Sequence, residues 1–209
     1  MPTHVALLRG INLGPHKRVA MPALRTLVES LGHTDVATYI ASGNVVFTAS
    51  AETRPGDSDA TSGRERGPGL VPTAEPAAEL AGDLEKAIEA ELGVACRVVV
   101  LTSAELAKAV ADNPYPDEPN PKLVHAFFLT AKASAEARTH VAQAQERAAA
   151  KGSRDEAAIV GRVLYLHTPD GFGRSELAAE LSKGAKRNPA EGTARNWATV
   201  TKLLAMCEG

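Results

Sequence analysis

Two stretches of the sequence repeat one turn-and-strand pattern, and this duplication constrains the fold more than any other feature. Residues 43–47 read Gly-Asn-Val-Val-Phe and residues 161–165 read Gly-Arg-Val-Leu-Tyr, an offset of 118 positions. The apolar strands that end at Leu8 and Phe128 are separated by 120 positions. Two similar spacings indicate a duplicated module.

In the first half of the chain, short apolar runs and helical patterns follow one another in the order β-α-β-β-α-β. Leucine and valine fall on one helix face between residues 21 and 31, with Pro22 in the first turn and Gly32 after the last. Ser42-Gly43-Asn44 predicts a tight hairpin turn. The order is typical of the ferredoxin-like, or split βαβ, arrangement. The predicted elements are strands at 4–8, 36–40, 45–48 and 97–101 and helices at 21–31 and 77–92.

The second half repeats this order but is predicted to end differently. Where a fourth strand would complete the sheet, the pattern predicts a helix at 194–206 with Thr193 as its N-cap. We therefore expect an α+β fold of two tandem α-β plait modules, the second closed by a C-terminal helix. The other predicted elements are strands at 124–129, 157–160 and 163–167 and helices at 134–150 and 175–183. The expected boundaries are 1–101 with a mobile insertion at 49–76, a linker helix and Pro-rich turn at 102–122, and 123–209.

Charge and cysteine content narrow the function classes. A formal net charge of −2 over 209 residues argues against broad nonspecific attraction to nucleic acid or acidic membranes. The two cysteines, Cys96 and Cys207, are typical of reduced thiols in a reducing compartment. No apolar run approaches the roughly 18 residues of a membrane span, and the first residues lack the pattern of a signal peptide. We expect a cytoplasmic protein that does not associate with membranes.

The loop after the first strand is the leading candidate site. In a β-α-β-β-α-β sheet the first two strands are parallel, so this loop and the turn after the second strand lie at one edge of the sheet. Exposed backbone amides, two asparagines and three cations are expected there, a combination that binds anions. The predicted anion-binding residues are Arg9, Gly10, Asn12, Gly14, Lys17, Arg18, Ser42, Gly43 and Asn44.

A purely structural role for the same loop is the alternative, because turns use glycine for positive φ. The loop matches neither Gly-x-x-x-x-Gly-Lys-Ser/Thr nor Gly-x-Gly-x-x-Gly, so the P-loop and the dinucleotide fingerprint do not apply. The six histidines show no ligand spacing, and we expect no metal and no cofactor.

Two segments near the end of the chain are secondary candidates. Arg174 and Ser175 open a predicted helix, where a serine N-cap and free amides would suit an anion as well as plain capping. Arg195 and Asn196 fall in the predicted last helix, where Arg195 would share a polar face with residues 199 and 202. Such a face is usually solvated, although a basic one can also contact phosphates.

Four segments resemble a bacterial family known as domain-of-unknown-function family 1697. They are His-Val-Ala-Leu-Leu-Arg-Gly-Ile-Asn-Leu-Gly at 4–14, Tyr-Ile-Ala-Ser-Gly-Asn-Val-Val-Phe at 39–47, and Gly-Phe-Gly-Arg-Ser at 171–175 with Thr-Ala-Arg-Asn-Trp at 193–197. The resemblance covers nearly the whole chain and implies tandem α-β plait modules, but it implies no activity. The chain departs from the family pattern at Pro15-His16 and in its long insertion at 49–76.

The sequence leaves three function classes open. The leading hypothesis is a binding module for an anionic ligand, either a nucleotide or a nucleic-acid backbone, at the loop after the first strand. The second is an enzyme acting on a small phosphorylated or carboxylated metabolite, with Arg195 or Arg174 contacting the substrate. The third is a structural or protein-interaction role, in which the motif residues only hold turns and the junction between the modules.

Overall fold

The computed structural model describes residues 1–12, 18–50, 74–184 and 192–209. The eight strands are β1 His4–Arg9, β2 Thr34–Tyr39, β3 Asn44–Thr48, β4 Arg97–Thr102, β5 Val124–Leu129, β6 Glu156–Val160, β7 Val163–His167 and β8 Gly192–Asn196. The six helices are α1 Met21–Ser30, α2 Ala74–Leu92, α3 Ser103–Ala111, α4 Ala135–Ala149, α5 Glu176–Gly184 and α6 Trp197–Glu208, and Phe172–Arg174 form a short 3₁₀ helix.

The strands form two antiparallel four-stranded sheets with the same connectivity. The first sheet has the order β2-β3-β1-β4 and the second has the order β6-β7-β5-β8. In each sheet the first strand of the module lies second from one edge, between the third and the fourth strands. The protein is therefore a mixed α/β protein whose two halves share one architecture.

Each sheet packs a pair of helices on its outer face. Helices α1 and α2 cover the first sheet, where Leu24, Leu84 and Ile88 are buried with Leu8 and Phe47. Helices α4 and α5 cover the second sheet with a smaller cluster built from two alanines of α4 and leucines of α5 and β7.

The inner faces of both sheets share one apolar core with α3 and α6. Leu7 of β1 and Phe128 of β5 both belong to it, as do Leu106 of α3 and Leu203 of α6. Tyr165 of β7 lies in this core, and its hydroxyl donates a hydrogen bond of 2.7 Å to the Ala109 carbonyl of α3. The modules are thus joined by buried apolar contacts as well as by polar ones.

The strand β8 corrects the predicted end of the chain. Residues 194–196 are not helical, because they pair with β5 as the fourth strand of the second sheet. Helix α6 begins at Trp197, and its N-cap is Asn196, whose side-chain oxygen accepts the Thr199 amide at 2.9 Å, in place of the predicted Thr193. The predicted polar face is also wrong, since Thr199 is buried. The segment contains few strand-favouring side chains, and its pairing partner lies far away in the sequence.

The pairing register shows how the two modules correspond. His4 pairs with Phe47 and Thr102, and His125 pairs with Leu166 and Asn196. Thr102 and Asn196 are the N-caps of α3 and α6. Each module therefore consists of a βαββαβ order followed by a capped helix. The structural correspondence between the modules is shifted by one residue from the sequence offsets of 120 and 118. Because successive side chains of a strand point to opposite faces, this shift changes which residues of the two modules share a face.

Helix α2 starts three residues earlier than predicted, at Ala74. Residues 74–76 of the predicted insertion are therefore helical, and residues 51–73 lie outside the described residues. Across the described part of the chain, none of the helices has the length and apolar character needed to cross a membrane.

Candidate functional site

The end of β1 and the turn between β2 and β3 lie against each other. The Leu8 amide donates a hydrogen bond of 2.8 Å to the Gly43 carbonyl, and the Asn12 side-chain amide donates one of 2.7 Å to the Ala41 carbonyl. The structure therefore brings together the two loops from which the sequence predicts one site.

Asn12 closes the loop that follows β1. Its side-chain nitrogen also donates to the Val19 carbonyl at 3.0 Å, and its side-chain oxygen accepts the Val19 amide at 2.9 Å. The residue has a positive φ of 54°, a conformation that asparagine tolerates better than most residues. Its amide group thus ties Val19 and Ala41 to the end of β1.

Gly43 is required by close packing as well as by its backbone conformation. Its φ is 77°, and a Cβ atom would lie 2.7 Å from both Leu8 Cβ and Ile11 Cδ1. Gly10 also has a positive φ, of 75°, but no atom lies within 4 Å of where its Cβ would be. Gly43 therefore allows the turn to approach β1 closely, which a larger residue would prevent.

Arg195 reaches this turn from the second module, so one secondary candidate meets the leading one. It is buried in β8 and donates all of its N–H groups to neutral acceptors of both modules. Its Nε atom bonds the Asn44 side-chain oxygen. The other acceptors are Thr193 Oγ1 at 2.8 Å, the Ala194 carbonyl at 2.7 Å, the Leu8 carbonyl at 2.7 Å and the Ser42 and Gly43 carbonyls at 3.1 Å each.

The guanidinium of Arg195 is held by dipoles, since no carboxylate of the described residues pairs with it. Burial lowers the pKa of Arg195 to about 10, so the group is still cationic at neutral pH. Asn44 completes the arrangement, because its side-chain nitrogen donates to the Tyr39 carbonyl at 2.9 Å and to Ser42 Oγ at 3.0 Å. These polar groups are fully used in joining β8, β1 and the turn.

Arg9 stands in contrast to these occupied side chains. It is exposed at the end of β1, and its side chain makes no hydrogen bond or ion pair with any residue that the structure describes. On the neighbouring strand β4, Arg97 is the residue directly opposite Arg9 in the pairing register. Arg97 is bound to the Glu85 carboxylate at 3.1 Å.

A cleft of about 260 Å³ lies beside these two arginines, between α2, β4 and the second module. Arg162 of the second hairpin lines its far side, where it also donates to the Leu129 carbonyl at 3.2 Å and pairs with Glu105 at 3.5 Å. Three arginines and one glutamate thus line one small cleft.

The remaining predicted residues lie elsewhere or serve other contacts. Arg18 and Arg174 are exposed, whereas Ser175 is buried and donates to the Asp155 carboxylate at 2.9 Å. Asn196 is a helix cap, as described above. Gly14 and Lys17 lie outside the described residues. No group of three or more metal-ligating side chains occurs in the described ranges.

Sequence reasoning missed Arg97 and Arg162 as neighbours of Arg9. Arg97 is the first residue of a predicted strand and Arg162 immediately precedes one, so each adjoins a buried apolar run, which is only a weak sign of a site. Their approach depends on the pairing register of β1 with β4 and on the packing of one module against the other, neither of which is visible in the sequence.

The family profile described as protein of unknown function (DUF1697) matches residues 1–61 and 70–165, and the chain belongs to this family. The fold is similar to that of the conserved bacterial protein SP0830 from Streptococcus pneumoniae. That structure is 18% identical, with a TM-score of 0.63, over 99% of this chain and 98% of the other. No curated protein matches the sequence.

Proposed function

We propose that this protein binds the anionic group of a small ligand in the cleft beside Arg9. The observation that carries the proposal is the pair formed by Arg9 and Arg97, two like charges directly opposite each other on neighbouring strands. Such a pair is destabilising unless a negative charge lies near both residues. Glu85 supplies that charge to Arg97, and a bound anion would supply it to Arg9.

The chemistry of the cleft suits a phosphate or a carboxylate. A guanidinium presents its N–H groups as a planar fork that matches these anions. A cleft of about 260 Å³ fits such a group on a small molecule, including a nucleotide phosphate, better than it fits a nucleic-acid strand. The net charge of −2 also favours a small ligand over a polyanion.

The polar residues around the turn have a positioning role in this proposal. Asn12, Asn44 and Arg195 fix the backbone from which Arg9 projects, since their own hydrogen-bonding groups are occupied. Ligand contact is therefore assigned to Arg9 first, and to Arg97 and Arg162 across the cleft.

Three wider features belong to the proposal. The strand orders support a ferredoxin-like α-β plait for each module, with the modules spanning 1–101 and 123–209. The cysteines are free thiols, which supports a cytoplasmic location. A small anionic molecule is the proposed partner.

The test compares the protein with an Arg9→Ala variant by calorimetric titration with inorganic phosphate and a nucleoside monophosphate at low salt. Loss of a charged hydrogen bond weakens binding by about tenfold or more. The exposed Arg138→Ala change on α4 is the matched control and leaves the affinity unchanged.

The melting temperature of the ligand-free Arg9→Ala protein is expected to stay the same or to rise slightly, because the Arg9 side chain forms no hydrogen bond or ion pair with the described residues and its removal relieves the repulsion with Arg97. Equal phosphate affinity in both proteins would contradict the proposal. Tight binding of single-stranded RNA that is unaffected by Arg9→Ala would contradict it too, and would point to a nucleic-acid surface elsewhere.

A further inference from the structure

A larger cavity of about 550 Å³ lies in the second module, between α4, α5 and the outer face of the second sheet. This volume falls within the range of small-molecule sites. Most of the side chains that line it are apolar. They include Phe127, Leu129, Val141, Ile159, Leu164 and Leu181.

Apart from Arg9, the polar side chains around this cavity are already hydrogen-bonded to other protein groups. Ser182 donates to the Ala178 carbonyl at 2.8 Å, and Thr193 accepts Arg195. His140 shares a 3.1 Å hydrogen bond with the Leu181 carbonyl, and Ser175 bonds Asp155. The cavity therefore offers an apolar wall, and Phe172, 39% exposed, adds an unburied aromatic ring to its lining.

The cavity exists because small residues face the sheet from both helices. Ala137 of α4 and Ala178 of α5 line it. The outer layer of the first module instead buries leucine, valine and isoleucine from α1 and α2. Transfer of a hydrocarbon group from water into an apolar space of this kind is favourable.

Arg9 lines this cavity as well as the small cleft. Gly192, the first residue of β8, is the other residue that both share, and a Cβ atom there would lie 3.2 Å from Leu129 Cα and still closer to the Phe128 carbonyl. A cation thus stands where an apolar cavity meets a charged cleft.

We infer that the ligand is an amphiphilic anion, with its carboxylate or phosphate at Arg9 and a hydrocarbon body in the cavity between α4 and α5. The inference rests on the proposed function, because Arg9 is the contact for the charged group in both. The inference adds the chemical class of the rest of the ligand, a hydrocarbon body.

The test titrates the protein with butanoate, hexanoate and octanoate, and with 1-octanol as the uncharged match for octanoate. Affinity is expected to rise about fourfold for each added methylene that enters the cavity. Octanoate is expected to bind at least about tenfold more tightly than 1-octanol in the unchanged protein, and about equally in Arg9→Ala.

An Ala178→Leu variant fills the cavity and is expected to abolish the dependence on chain length, and Ala137→Leu repeats the test if that variant does not fold. Ala142→Leu, on the exposed face of α4, is the control and keeps the dependence. Equal affinity for butanoate and octanoate would overturn the inference, while loss of phosphate binding in Arg9→Ala would still support the proposed function. Affinities for octanoate and for phosphate that are the same with and without Arg9 would overturn both.

Discussion

The outer layers of the two modules are built differently on the same architecture. Fifteen described residues form the buried cluster beneath α1 and α2, whereas five form the one beneath α4 and α5. The buried positions of α4 are alanines, at 137, 144 and 148, where α1 buries Leu24, Leu27 and Val28. The difference in side-chain volume appears as the cavity in the second module.

Ion pairs partly replace apolar contacts in the second outer layer. Glu180 of α5 is buried and binds Arg147 of α4 at 3.0 Å, Lys151 just after α4 at 2.7 Å and Lys183 at 2.6 Å. Two sheets with the same strand order can therefore differ in their outer layers, one packed tightly and the other left open. In the proposed complex, the hydrocarbon part of the ligand lies in the second module and its anionic group lies at Arg9 of the first.

The largest effect is expected where the two sheets differ at one inward position. By the pairing register, Arg195 of β8 occupies the position that Leu101 holds in β4. An Arg195→Leu change makes the modules alike there but leaves the Leu8 and Ser42 carbonyls and the Asn44 side-chain oxygen without their donor. Because each buried acceptor left unpaired costs about 1–3 kcal/mol, we expect a loss of about 3–5 kcal/mol in the free energy of unfolding, measured by urea denaturation.

The control for this change is Arg174→Ala, since Arg174 is exposed. It should leave the urea midpoint unchanged. A stability for Arg195→Leu within about 1 kcal/mol of the original would show that the polar junction is dispensable, as replacement of some buried ionic groups has proved to be.

The hairpin glycines give the next effect. In Gly43→Ala the new Cβ atom would sit on a backbone with a positive φ and 2.7 Å from Leu8 and Ile11. We expect this substitution to lower the free energy of unfolding by about 3 kcal/mol. Gly161→Ala in the second hairpin has a φ of 59° but open space around its Cβ, and should cost about 1 kcal/mol. Denaturation midpoints of the two variants measure the difference, and equal losses would contradict the close packing assigned to the first turn.

The smallest expected effect is on the loss of folding stability at low pH. Hydrogen bonds from Lys151 and Lys183 lower the pKa of Glu180 to about 2 from its usual 4.5. A carboxyl whose pKa is lowered on folding stabilises the fold above the unfolded pKa, and this stabilisation is lost as pH falls from about 4.5 toward 2. A Glu180→Gln variant should therefore unfold at a lower temperature at pH 7 and lose less stability on acidification.

Glu176→Gln, at an exposed partner of Lys151, is the comparison for Glu180→Gln. It should change the pH dependence little, because its ion pair is solvated. Identical pH profiles for Glu180→Gln and the unchanged protein would show that the ion pairs do not hold α5 to α4.

The sequence predicts elements well where local pattern and tertiary structure agree. The predicted bounds of β5 and β7 are confirmed residue for residue, because short apolar runs define those segments. Strand β8 was missed because Gly-Thr-Ala-Arg-Asn has little strand preference of its own and becomes a strand by pairing with β5.

The candidate site could be predicted only in part for a related reason. The meeting of Asn12 with the β2–β3 turn follows from the strand directions alone. The bond between Arg195 and Asn44 joins residues 151 positions apart, and the opposition of Arg9 and Arg97 depends on register. The cavity depends on how closely α4 and α5 pack against the second sheet, and this packing distance cannot be read from the sequence.

The most direct test of the ligand site is a crystal structure of the protein grown with octanoate. We expect electron density with the carboxylate within hydrogen-bonding distance of the Arg9 guanidinium and the alkyl chain between α4 and α5, against Phe127 and Leu164. Crystals in which octanoate is bound elsewhere, with the cavity occupied only by ordered water and Arg9 in contact with solvent, would contradict it.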